Sequence, residues 1–193
     1  MAKYKAPLCV IFLLVAGSVF SGRNVGADNT EAYTRSVENY VVPDVTLVNQ
    51  DGKRVKIRSL LNSKKVIILD FIYTTCTTIC PVLSAEFADF QDTIGPDSEN
   101  VHLISISIDP ENDTPKKMKD YLRRYDAKPG WEFLTGPKEE ILKVVKAFGA
   151  YTPSKMSHLP LAILHSSADG SWIRIYGLIG SSDMLAEYKK ALN

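Results

Sequence analysis

Apolar residues along this chain fall into short runs that switch between two periods. Val45-Thr46-Leu47-Val48 and Arg54-Val55-Lys56-Ile57 flank Asn49-Gln50-Asp51-Gly52, which predicts a β-hairpin closed by an Asp-Gly turn. Arg58 to Asn62 is read as one helical turn. Val66-Ile67-Ile68-Leu69-Asp70-Phe71 is almost wholly apolar, as expected of a central strand covered on both faces. Leu83, Phe87, Phe90 and Ile94 then recur at helical spacing from Pro81, and Gly95 stops that helix. Val101 to Ile108 is a second buried strand, followed by a loop, Asp109 to Asp113. Thr114-Pro115 caps the next helix, whose apolar face is Met118, Tyr121, Leu122 and Tyr125. Trp131 to Leu134 is a short strand, and a helix from Pro137 turns Ile141, Val144, Val145 and Phe148 inward. Tyr151 to His158 is a loop. The strands Leu161 to Leu164 and Trp172 to Leu178 form an antiparallel pair around Ala168-Asp169-Gly170, and a closing helix carries Met184, Leu185, Tyr188 and Leu192.

Strands alternating with helices, then a hairpin and a last helix, predict an α/β three-layer sandwich with a mixed sheet and an N-terminal β-hairpin extension. The N-terminus does not fit that pattern. Met1-Ala2-Lys3-Tyr4-Lys5 is basic, Pro7 to Phe20 is an apolar run of 14 residues, and Val25-Gly26-Ala27 offers small residues for cleavage. This is the layout of a secretory signal peptide over residues 1–27. The run is short of the roughly 20 residues that span a bilayer, so an uncleaved anchor is the second reading. Residues 28–42 are polar at first and lack apolar periodicity, and are read as a flexible tether ahead of a domain at 43–193. Export places the domain in the periplasm or on the outer face of a bacterial inner membrane, with membrane association through the N-terminal segment.

Composition adds little beyond solubility: 45% hydrophobic and 23% charged residues suit a globular domain. Without residues 1–27 the chain has 20 basic against 22 acidic residues and no basic cluster, which excludes nucleic acid as a partner. Cys9 leaves with the signal, so the exported domain keeps Cys76 and Cys80.

Those two thiols lie in Cys76-Thr77-Thr78-Ile79-Cys80-Pro81, between the apolar strand and the first long helix. Unpaired amides and the dipole at a helix start favour a thiolate, the form that exchanges disulfides and binds metals. With the two-cysteine loop there, the specific sandwich is thioredoxin-like. A purely structural disulfide would close a five-residue loop, stabilising by about 2 kcal/mol against nearly 5 for about 100 residues. Redox exchange needs only the pair Cys76 and Cys80, whereas a metal needs a third donor. Of three histidines, His102 opens a buried strand and reads as an edge or capping residue. His165 ends a strand, and its spacing of seven from His158 sends strand side chains to opposite faces. His158 sits before that strand, at the sheet end where ligands of open α/β sheets gather; composition alone also allows it no role. Leu159-Pro160 is the place where a thioredoxin-like fold would carry a cis-proline.

The segment from Cys76 to Pro81 resembles the CxxxCP motif of the Sco/SenC family, thioredoxin-like copper chaperones of cytochrome c oxidase assembly. Ser107-Ile108-Asp109-Pro110-Glu111-Asn112-Asp113-Thr114-Pro115 is similar to that family's S-x-D-P-x-x-D-T-P segment. Trp131-Glu132-Phe133-Leu134-Thr135-Gly136 and His158 continue the likeness over roughly residues 43–192. The resemblance implies a metal site of Cys76, Cys80 and His158 holding copper, as Cu(I) or Cu(II). It implies delivery to a copper-accepting subunit of a respiratory oxidase or another copper enzyme. Soft thiolates with one imidazole suit that metal, while zinc would want a fourth ligand. Two departures lean the other way. Ser157 stands where many members have an aspartate before the histidine, and Pro160 is absent from typical members. Both favour the alternative, a thiol–disulfide oxidoreductase in which Cys76 and Cys80 form a cycling disulfide that keeps a partner's cysteines reduced. A peroxidase is excluded, since Tyr73 occupies the threonine position of peroxiredoxins.

Overall fold

All seven residues of β4 (Val66–Ile72) are buried, and their alternation divides the core in two. Val66, Ile68 and Ile72 pack with residues of α2 (Ile79–Ile94), α3 (Pro115–Arg124) and α5 (Ser181–Ala191). Ile67, Leu69 and Phe71 pack on the other face with α1 (Ile57–Leu61) and α4 (Lys138–Ala147). A strand with no polar face must be covered twice, so the apolar run at 66–71 dictates three layers. The computed structural model describes residues 33–192. The expected signal peptide, and the start of the expected tether, lie outside the described residues.

The remaining strands are β1 (Tyr33–Glu38), β2 (Thr46–Asn49), β3 (Arg54–Lys56), β5 (Val101–Ser107), β6 (Trp131–Thr135), β7 (Leu161–His165) and β8 (Trp172–Gly177). They form one mixed sheet in the order β1-β8-β7-β4-β5-β6-β2-β3. β4, β5 and β6 run parallel, and β7 lies antiparallel on the other side of β4. The loops after β4 and β5 and the loop before β7 therefore meet at one end of the sheet.

Local chemistry accounts for the boundaries. In the expected hairpin, Asn49 Oδ1 accepts from the amides of Asp51 and Lys53, both at 3.0 Å, while Gly52 takes φ 76°. The hairpin joins the main sheet through β2 and β6. Gly136 permits that approach, because a Cβ there would stand 2.8 Å from Leu47 Cδ2. Thr114 caps α3, its hydroxyl accepting from Lys117 N at 3.4 Å with Pro115 in the first turn. Gly95 ends α2 at φ 56°.

Three expectations change. Residues 33–38 of the expected tether are a strand, paired with β8 along its whole length. Its side chains are mostly exposed, so no apolar period marks it. It is held by backbone pairing, by Tyr33 packing against the core and by the ion pair of Arg35 Nε with Glu187 Oε2 at 2.8 Å, Glu187 being 1% exposed. Tyr40 beyond it packs edge-on to Trp172 at 5.8 Å and against Phe148 at 5.0 Å. Leu192, expected on the inner face of α5, is exposed, and Ala191 fills that place. The Leu159–Pro160 bond is trans, as is every peptide bond among the described residues.

Arg35→Ala should lower the unfolding free energy by about 1–3 kcal/mol, the range for a hydrogen bond to a buried charged group. Urea denaturation reads this directly. An unchanged midpoint would mean that the Arg35–Glu187 pair adds nothing and that β1 is held without it.

Candidate metal centre

The loop after β4 is short and closely held. Cys76 N donates to Tyr73 O at 3.2 Å, and the turn leads into α2 at Ile79, two residues before Pro81, where the sequence places the helix start. Cys80 consequently lies in the first helical turn, pointing into the core at 0% exposure, and Cys76 is 6% exposed just ahead of it. Both are free thiols.

Asp113 ties this loop to the end of β5. Its carboxylate accepts from Thr74 Oγ1 at 2.5 Å, Thr74 N at 3.2 Å and Ser107 Oγ at 2.6 Å, at 1% exposure. Asp109, four residues earlier, faces the third loop. It accepts from Asn112 Nδ2 at 2.9 Å and forms an ion pair with Lys155 Nζ at 2.5 Å. Asp113 and Asp109 thus have separate tasks: one fastens the cysteine loop, the other fastens the segment that carries His158.

That segment is a single 3₁₀ turn, Lys155–Ser157, capped by Ser154, whose hydroxyl accepts from Met156 N at 3.3 Å. His158 follows it, and its Nε2 lies 3.2 Å from Cys80 Sγ. Nδ1 is 2.9 Å from Lys155 O, which places the ring proton on Nδ1 and turns the Nε2 lone pair to the thiol. A backbone carbonyl therefore orients the ring, and Ser157 before it supplies no carboxylate for that task. Tyr73 braces the ring edge-on at 5.4 Å, and Lys155 Nζ sits over the Tyr73 ring at 5.2 Å.

The donor atoms of Cys76, Cys80 and His158 all lie within 4.8 Å of one another. His102 and His165 are elsewhere, as expected. His102 Nε2 is 3.2 Å from Glu132 Oε2. His165 stacks on Trp172 at 4.2 Å and pairs with Ile67, at the far end of β4 from the cysteines.

The two thiols differ electrostatically. Burial disfavours the Cys76 thiolate, but hydrogen bonds from the Cys80 thiol, the Thr78 and Cys80 amides and the Thr78 hydroxyl outweigh it, bringing its pKa down to about 7. Cys80 moves strongly the other way: burial comes first, then its hydrogen bond to Cys76 and the negative charge of Cys76 and Asp70. His158 is lowered by burial against the hydrogen bond to Lys155 O, so it is a neutral base at pH 7. One readily ionised thiol, one thiol that keeps its proton and one neutral imidazole thus face the same point.

Sequence reasoning passed over Asp70. It is fully buried in β4, neither oxygen has a hydrogen-bond partner, and burial pushes its pKa up to about 7 despite the Ser105 hydroxyl nearby. A lone carboxylate in an apolar strand, six residues ahead of Cys76, was the available signal. Tyr73, Lys155 and Met156 carried no such mark, because their roles depend on a loop that folds back from 80 residues away.

Fold and site together define a thioredoxin-like protein with a dithiol–imidazole centre at the carboxyl ends of its parallel strands. The SCO1/SenC family model matches residues 34–189, and the chain belongs to that family. It is 33% identical to the SCO1 protein homolog of Bacillus subtilis, over 79% of this chain and 83% of that one. The structure of Bradyrhizobium japonicum ScoI with copper bound superposes with a TM-score of 0.66 at 32% identity, covering 79% of this chain and 99% of that one. BsSco, described as having a disulfide switch and as a member of the Sco family of cytochrome c oxidase assembly proteins, gives 0.68 at 33% identity, covering 81% and 95%.

Alkylation of the reduced protein with iodoacetamide should reach Cys76 first, with a pH midpoint near 7 rather than the ordinary value of about 8.5. Cys80 should stay unmodified until the pH is well above that. Peptide mass mapping separates the two, and earlier modification of Cys80 would reverse the assignment of nucleophile and buried thiol.

Proposed function

We propose that this protein binds copper through Cys76, Cys80 and His158 and passes it to a copper-accepting subunit of a respiratory oxidase or another copper enzyme. The observation that carries the reading is the convergence of two soft sulfurs and one imidazole within 4.8 Å, from chain segments 78 residues apart. That donor set suits Cu(I), and with a thiolate and an imidazole it also accepts Cu(II). The fit is supported by the neutral imidazole, whose free nitrogen already points at the thiol. Relatives of the same family have been crystallised with copper bound, and one belongs to the cytochrome c oxidase assembly proteins by description.

Copper here is cargo. Transfer by ligand exchange keeps the ion coordinated throughout, provided the donors open to a partner at one side. The N-terminal segment would carry the domain to the periplasm, or hold it at the outer face of the inner membrane, where the acceptor subunit is reached.

A second reading has its own observation. A low-pKa thiol beside a buried partner thiol is the arrangement of a thiol–disulfide oxidoreductase, which would keep the acceptor's cysteines reduced. The trans Leu159–Pro160 bond removes the argument from a cis-proline. The readings part at the imidazole, because disulfide exchange needs no third donor.

Titrating the reduced domain with Cu(I) against a chromophoric chelator should give one tight site. His158→Ala should weaken it about 10- to 100-fold, while Cys76→Ser/Cys80→Ser should abolish it. Undiminished affinity in His158→Ala, with intact disulfide exchange, would favour the oxidoreductase. Copper uptake should also release protons in a pH-dependent number. Above about pH 8 only the Cys80 proton remains to leave, and below about pH 6 both thiols must lose theirs, so apparent affinity rises with pH throughout. Calorimetry in buffers of different ionisation enthalpy counts these protons, and a pH-independent affinity would count against thiolate ligation.

A further inference from the structure

The three donors are shielded to different degrees. Cys80 is 0% and Cys76 6% exposed, and His158 is half-buried beneath the turn that precedes it. In the turn just ahead of His158 stands Met156, which is 72% exposed. Methionine is usually buried, where it fills gaps in a core. At this exposure Met156 packs almost nothing, so core filling does not account for it.

Its side chain nevertheless has a defined direction. The thioether Sδ accepts a hydrogen bond from Tyr73 Oη at 3.3 Å. The same tyrosine lies edge-on to His158 at 5.4 Å, and its hydroxyl interacts with Cys76. The exposed sulfur of Met156 is therefore linked to the donor set through one tyrosine side chain. It is also anchored: Ser154 holds the amide of Met156, and Lys155 beside it is ion-paired to Asp109.

We propose that Met156 is an entry ligand for Cu(I), a third sulfur that receives the ion at the mouth and hands it inward. The proposal rests on the copper reading above. A thioether is neutral, soft and weakly coordinating, and it needs no deprotonation, unlike Cys80. On entry a Cu–Sδ bond forms as one donor-side bond breaks; a Cu–Sγ bond to Cys76 then forms as the thioether leaves. The copper stays Cu(I), no electron moves, and the tyrosine hydroxyl loses only its hydrogen bond to sulfur. Delivery runs the same steps backwards. A ligand this weak would speed exchange in both directions without deepening the final site.

The test combines rates with a spectroscopic signature. Cu(I)–bicinchoninate supplies the ion, and the reduced wild-type domain is compared with Met156→Leu, a surface change of similar volume that leaves the core untouched. Equilibrium affinity should agree within about twofold, while loading and chelator-driven removal should each slow about tenfold. Equal rates in the two proteins would overturn the entry role and leave the copper site standing. A large loss of affinity with unchanged loading would overturn it too, making Met156 a resident ligand. A wild type that takes up no Cu(I) would overturn the copper reading and this proposal with it. In Cys76→Ser/Cys80→Ser protein carrying ¹³C-methyl methionine, Cu(I) should still shift one methyl resonance, the one missing from the Met156→Leu form. No shift there would remove the direct evidence for a metal–thioether contact and overturn the proposal.

Discussion

The site depends on one contact, the ion pair that fastens Lys155 to Asp109. The cysteines need little help, because they are four residues apart and fixed by the start of α2. The imidazole comes from a loop that would otherwise have many ways to lie. Holding Lys155 to the loop after β5 brings its carbonyl to His158 Nδ1, and that hydrogen bond aims Nε2 at Cys80. The pair is partly buried, with Asp109 8% and Lys155 34% exposed at the side chain, so water screens it less than a surface pair. The position of the ring thus follows from how this turn is held, and its tautomer from the Lys155 carbonyl.

Around that contact the protein keeps two unlike sulfurs. Cys76 sits where amides and hydroxyls can reach its charge, and Cys80 sits one helical turn deeper among apolar groups. The buried carboxyl of Asp70 adds to the difference, since any charge on it raises the cost of a Cys80 thiolate. An incoming soft cation would meet a ready thiolate first and displace a proton from the second sulfur afterwards. For disulfide exchange the same asymmetry distinguishes an attacking sulfur from a resolving one. The electrostatics therefore serve both chemistries, and only the imidazole separates them.

The central layers were readable from the sequence because their signals are local. An apolar run of strand length must be buried on both faces, and Thr114-Pro115 or Gly95 act on the helix they adjoin. The CxxxCP segment was equally plain, since both thiols and the helix start beside them lie within a few residues. The edge strand β1 left no trace, as its side chains are mostly exposed with no apolar period, and what holds it are backbone and side-chain partners about 140 positions away. The cis-proline expectation failed for a related reason: isomer choice at Leu159–Pro160 is set by what surrounds the bond, which the dipeptide does not reveal.

By itself, then, the sequence determined the strand and helix order, the three-layer core and the two thiols at a helix start, because each rests on residues within a few positions of one another. Tertiary structure decided the distance: it brings His158, which the sequence singled out only through a family resemblance, to the two thiols. It also decided that Lys155 O orients the ring, and that Asp70 lies buried without a partner. Those outcomes depend on distances across the sheet and on how a distant loop is anchored, and no local pattern of residues encodes a distance of that kind.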